Sequence, residues 1–130
     1  MDILVPFSIR KKELGGTISE EARKLFTKIK QKPELAVGIS AKGLPAHITL
    51  YKYYATTANG HRRLLFFSRH TTQGRIENWI LLFYRTKGDE IGDNMSSKNP
   101  AFSTQLVKNM GFATEDLSGS TIDAPLYERF

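Results

Sequence analysis

Cysteine is absent from the 130 residues, which excludes disulfides, thiol nucleophiles and cysteine-ligated zinc. No apolar run approaches the ~20 residues that carry a helix across a bilayer. The opening stretch MDILVPFSIRKK sets its basic residues after its apolar ones, the reverse of a secretory signal. The sequence also lacks G-x-x-x-x-G-K-[ST], G-x-G-x-x-G, H-E-x-x-H and G-x-S-x-G, so phosphate-loop, dinucleotide, zinc-protease and serine-hydrolase chemistries have no foothold. His47, His61 and His70 have no carboxylates near them at metal-ligand spacing, and neither a metal nor a cofactor is expected. These absences predict a cytoplasmic protein of one domain over residues 1–130, with no membrane partner.

Acidic residues are scarce in the middle of the chain. Residues 22–87 hold thirteen Lys and Arg against only Glu34 and Glu77, a net of +11, whereas residues 1–21 carry −1 and residues 88–130 carry −4. A self-repelling stretch lowers stability unless a polyanion or an acidic partner lies against it. The middle therefore reads as a phosphate-facing surface, the alternative being a solvated basic face. A hydrophobic content of 40% with 11% aromatics is enough to close a core around it.

The pattern predicts an α+β fold. Asp2 to Ile9 alternates as a first strand, broken by Gly15-Gly16. Thr17-Ile18-Ser19-Glu20 has the form of a capping box, and Ala22, Leu25, Phe26 and Ile29 follow at helical spacing, giving a helix over roughly 18–31 that Pro33 stops. Residues 34–46 read as a short helical turn and then a loop. Three runs resemble strands, namely His47–Ala55, Arg62–Arg69 and Asn78–Arg85, joined by linkers of hairpin chemistry into an antiparallel meander. Ser97–Met110 repeats apolar residues at helical spacing and ends at Gly111. The expected architecture is a small antiparallel sheet of about four strands, with an N-terminal helical region packed on it and a C-terminal helix. Residues 112–130 form an acidic tail, either flexible or folded back on the basic surface.

An enzyme built from cations, hydroxyls and one imidazole can cleave RNA, because the substrate's own 2′-OH is the nucleophile. Alternate residues of a strand share a face, so Arg63, Leu65, Phe67 and Arg69 oppose Arg62, Leu64 and Phe66; Trp79, Leu81, Phe83 and Arg85 oppose Ile80, Leu82 and Tyr84. A hairpin between these strands brings Arg63 close to Arg85 at one end of the sheet, where Lys87 can join them. Strand-end arginines also commonly snorkel to water, and that reading stands beside the first. Lys52, Arg62, Arg69 and Arg75 extend the basic surface. His61, beside a glycine in a turn, is more often a loop residue than a proton-transfer group, and Tyr84 and Tyr53 are more often core or edge aromatics than stacking platforms. A non-enzymatic nucleic-acid-binding module would use the same basic sheet with Tyr51, Tyr53 and Phe66 as stacking surfaces.

In chain order and arginine placement, Gly-His-Arg-Arg-Leu-Leu-Phe-Phe over 60–67 and Trp-Ile-Leu-Leu-Phe-Tyr-Arg over 79–85 resemble the RelE/HigB/YhaV superfamily of toxin ribonucleases. The resemblance spans roughly residues 3–110. It implies a RelE-like fold and an mRNA endonuclease, acting on the ribosome or free and neutralised by a cognate antitoxin. It puts Arg63 and Arg85 on phosphate stabilisation, Lys87 as a third cation, and His61 or Tyr84 on proton transfer. Two departures stand out. Arg62 occupies the place of a usual tyrosine, and the tyrosine common near the end of such domains is either replaced by Tyr127 or missing.

Overall fold

The computed structural model describes residues 1–39, 48–70, 76–86, 88, 99–119 and 126–130, apart from the side chains at 69, 70, 76 and 77. Strand β1 is Asp2–Pro6, followed by helices α1, Phe7–Glu13, and α2, Glu20–Gln31. A 3-10 turn at Pro33–Leu35 leads into β2, Val37–Ile39. Strands β3, Ile48–Thr57, β4, Gly60–His70, and β5, Ile76–Thr86, form the central meander. Helix α3, Pro100–Ser118, and strand β6, Tyr127–Arg129, complete the chain. The strands make one open sheet in the order β2-β3-β4-β5-β1-β6.

The fold is α+β, with a larger sheet than the sequence pattern implies: six strands among the described residues, not about four, and mixed, because β1 runs parallel to β5. The additional strands β2 and β6 have three residues each, too few for alternation to register. The predicted strand over Asp2–Ile9 ends at Pro6, and the chain turns directly into α1, where only Ile9 is buried. Gly15 and Gly16, at φ +72° and +97°, then carry the chain out of α1 in a conformation other residues resist. The α2 cap is Ser19, not Thr17; its hydroxyl accepts from the Ala22 amide at 3.2 Å.

The C-terminal helix does not stop at Gly111. It continues to Ser118 because Phe102, Leu106 and Ala113 are all buried, which outweighs the roughly 1 kcal/mol that an interior glycine costs. Its Asp116 carboxylate accepts from the Ser8 amide at 2.8 Å, at the start of α1. The described part of residues 112–130 is therefore helix and strand. Backbone bonds of 2.9 and 2.8 Å tie Phe130 to Ile3, and the Phe130 ring sits 5.2 Å from that of Phe26 on α2.

Helix α2 covers one face of the sheet, where Glu21 meets Arg62 and Tyr84; α1 and α3 cover the other, where Glu13 meets Arg85 and Phe102 packs on Phe83. The core lies in both layers, so β4 and β5 are buried on both sides over Leu64–Phe67 and Ile80–Phe83. Among the described residues no helix is long and apolar enough to cross a membrane.

Because Phe130 joins the terminal strand to α2, Phe130→Ala is expected to lower stability by about 1–2 kcal/mol, less than for a fully buried ring. The midpoint of urea unfolding measures it; an unchanged midpoint would show that β6 docks without contributing.

Candidate nucleic-acid interface at the β4–β5 rim

The register of β4 on β5 sets the site. Arg62 pairs with Thr86, Arg63 with Arg85, Leu64 with Tyr84 and Leu65 with Phe83, but Phe66 pairs with Leu81. Leu82 is thus the extra residue of a β-bulge, which takes its backbone out of the regular ladder. Its carbonyl accepts instead from Asn109 Nδ2 on α3 at 2.8 Å. Asn109, wholly buried, also donates to Glu13 Oε1 at 3.2 Å and accepts from Gln105 at 2.8 Å.

The bulge changes which side chains share a face. Trp79 lies with Tyr51 and Phe66 on the α2 side, at ring distances of 5.2 and 5.5 Å, while Phe83 packs against Phe102 on the α3 side. The uniform alternation expected for Trp79, Leu81, Phe83 and Arg85 therefore fails at Leu82. The juxtaposition of Arg63 and Arg85 is present: directly opposed residues of an antiparallel pair project to the same face.

The proposed site residues divide between the two faces. His61, Arg63 and Arg85 belong to the α3 side, together with Tyr54, which lies opposite Arg63, and Lys52. His61 is exposed, with Nδ1 3.4 Å from the Thr56 hydroxyl. Arg62 and Tyr84 belong to the α2 side. There the Arg62 guanidinium lies 3.3 Å from Glu21 and 5.4 Å from the Tyr84 ring centre, and the Tyr84 hydroxyl donates to Glu21 at 3.3 Å. Burial, with the adjacent Glu21 carboxylate, pushes the Tyr84 phenol up to about 12. At neutral pH it is a hydrogen-bond donor, turned to Glu21 on the face opposite Arg63 and Arg85. The backbone of Arg69 is in β4. Its side chain, Arg75 and Lys87 lie outside the described residues.

Two carboxylates absent from the sequence-based site hold the rim together. Glu13, at the end of α1 with a side chain 1% exposed, pairs with Arg85 at 2.7 and 3.0 Å. Burial pushes its carboxyl above the ordinary range, against the pull of Arg85 and the Asn109 hydrogen bond. Glu21 is also raised by burial, but donors from Asn59, Arg62 and Tyr84 outweigh this and hold it lowered. Between the two pairs, around the end of β5, lies a cleft of about 520 Å³ bordered by Lys12, Asn59 and Thr86. Only the position of Glu13 and Glu21 beside the Gly15-Gly16 break hints at them in sequence; charge counting treats them as ordinary helix-end acids.

The other expectations separate as follows. Tyr53 and Phe66 are buried and offer no face to a base, while Tyr51 is half-buried with one face stacked on Trp79. Tyr127 is on β6, three strand spacings or about 14 Å from β4, and does not complete a site with Arg63. Among the described residues no cluster of three or more His, Asp or Glu is placed to hold a metal ion.

Removing Arg85 leaves a buried carboxylate without its counter-charge. Arg85→Ala is expected to cost about 3 kcal/mol, and Glu13→Gln combined with Arg85→Gln less than that; equal losses in denaturant melts would dismiss the pair as a structural tie. The raised Glu13 carboxyl makes the native state hold more protons than the unfolded chain above its ordinary 4.5. Its contribution to stability therefore falls as pH rises from there and levels off beyond its folded value. The stability difference between wild type and Glu13→Gln should shift against wild type from about pH 4 to 7; the opposite slope would refute the burial effect.

Compared with protein-family models, curated proteins and solved structures, the chain matches none of them.

Proposed function

We propose that this protein is a metal-independent endoribonuclease, a RelE-like toxin of the cytoplasm that cleaves mRNA and is held in check by a cognate antitoxin. The observation that carries the reading is the pairing of Arg63 with Arg85, with His61 two residues earlier on the same face of β4. Arg63 and Arg85 stand directly opposite each other on one face of the sheet, and guanidiniums that reach a phosphate from there suit its developing charge. The element order of strand, two helices, antiparallel meander and helix also agrees with the resemblance carried by residues 60–67 and 79–85.

In this reading His61 takes the proton from the 2′-OH, the 2′-oxygen bonds to phosphorus, and the bond to the 5′-oxygen breaks. Arg63 and Arg85 stabilise the crowded phosphorane between those events. The 5′-oxygen leaves with a proton from water, and Lys87 is a third cation at the phosphate, as the resemblance implies. Arg85 donates to Glu13 through Nη2 at 3.0 Å, with Nε 2.7 Å from the same carboxylate, which orders its guanidinium on the face it shares with Arg63.

A second reading, an RNA-binding module without cleavage, is favoured by one observation: the two groups with raised pKa near the rim, Glu13 and Tyr84, are engaged in hydrogen bonds with neighbouring side chains.

Arg63→Ala is the cleaner variant, because Arg85 also secures Glu13. It is expected to lower RNA cleavage in EDTA by about 100-fold or more while the protein stays folded, and to relieve growth arrest caused by the chain alone. It should also reduce the salt dependence of RNA binding by about one phosphate contact. Salt-sensitive binding with no cleavage by wild type would replace the enzyme with the binding module, and undiminished cleavage by Arg63→Ala would remove the arginine assignment.

A further inference from the structure

We propose that Tyr54 is a stacking platform for an unpaired nucleobase of single-stranded RNA, with Arg63 and Lys52 receiving the phosphates on either side of that base. The proposal rests on the reading of this rim as an RNA site and names how the strand is seated there.

Of the aromatic side chains on β3, β4 and β5, Tyr54 is the exposed one, at 53%; the others are buried, stacked on a neighbour or turned toward Glu21. Exposure alone would say little, since tyrosine favours strands. The surroundings say more. The Lys52 ammonium lies 5.2 Å from the ring centre and the Arg63 guanidinium 5.6 Å, one along the strand and one across it, both within the roughly 6 Å over which a ring face attracts cations. A hollow of about 210 Å³ adjoins the ring, lined by Tyr54, Ala55, Thr56, His61, Arg62 and Arg63. Both cations lie over the ring, and a single strand would exchange with them: the base takes the ring face and its flanking phosphates draw Lys52 and Arg63 onto the backbone. Here the same Arg63 would face the scissile phosphate, so a base on Tyr54 places the neighbouring ester at the arginine pair. A duplex keeps its bases stacked and has none to offer.

The test uses the full chain and two short probes of equal length, both 2′-O-methylated so that neither can be cleaved: one with bases, one abasic. Tyr54→Ala and Tyr54→Leu are each expected to weaken binding of the base-bearing probe by about 5- to 100-fold and leave the abasic probe unchanged, while Tyr54→Phe retains wild-type affinity. Equal weakening of both probes would overturn the proposal, since the ring would then only position Lys52 and Arg63. It is overturned as well if neither probe is affected, or if wild type binds the two alike or binds neither. Because these probes report binding alone, a failure of the nuclease reading shows separately, as retained probe affinity without cleavage of ordinary RNA.

Discussion

The single extra residue at Leu82 is the constraint on which the rim depends. Strand pairing has a period of two, so a shift of one residue moves every following side chain to the opposite face. Continuing the register in which Phe67 meets Ile80 without interruption would bring Arg63 opposite Tyr84 and set Arg85 on the face of Arg62. The bulge instead sends Trp79 and Leu81 to the α2 layer and Phe83 and Arg85 to the α3 layer. A bulge leaves backbone groups outside the ladder, and such groups are costly when buried. Asn109 removes that cost by donating to the Leu82 carbonyl, so a residue on the last helix fixes the phase of a central strand.

Asn109 has a second role, because its amide also reaches Glu13. The end of α1, the end of β5 and the middle of α3 thereby meet in one network, in which a buried carboxylate neutralises Arg85. Burying that carboxylate is unfavourable by itself, as its raised pKa attests. Its proximity to Arg85 makes two adjacent arginines tolerable at the sheet edge. A matching arrangement on the other face sets Glu21 against Arg62, Tyr84 and Asn59. Part of the +11 carried by the middle of the chain is therefore balanced internally by acids from its first 21 residues. Charge counted along the sequence overstates the surplus presented to a ligand.

Long, periodic segments were legible in the sequence: the apolar stripe of α2, the three strands of the meander and the proximity of Arg63 to Arg85. What escaped was local in sequence but decided by distant contacts. Phe7–Ile9 continues the weak alternation of Asp2–Ile9 yet is helical, because Ile9 finds the core and Asp116, more than a hundred residues away, meets the first turn of α1. Gly111 is a good helix terminator in isolation, and contacts beyond it, Phe112, Ala113 and Leu117 on the core and Asp116 on Ser8, carry α3 onward. The bulge was invisible because Ile80, Leu81, Leu82 and Phe83 are all apolar, and an unbroken apolar run carries no phase. Arg62 and Tyr84 are a different matter: simple alternation already sets Arg62 on the other face from its neighbour Arg63, and Tyr84 from its neighbour Arg85, with or without the bulge.

The two faces of the rim consequently differ in kind. On the α2 side Glu21 receives donors from three residues around it, an arrangement that already satisfies its charge and holds the β3–β4 turn to the helix through Asn59. On the α3 side the imidazole of His61 and the ring of Tyr54 face solvent, beside two arginines brought together by the register. The Glu13 carboxylate there lies 2.7 Å from Arg85 Nε and accepts from Nη2 at 3.0 Å. The orientation of Arg85 is set by Glu13 and that of Glu13 by Asn109, so the buried network orders the arginine from the core outward. A charge already held in position loses less side-chain entropy in any later contact than one that must first be ordered, which is how a buried acid on α1 conditions the surface above β5.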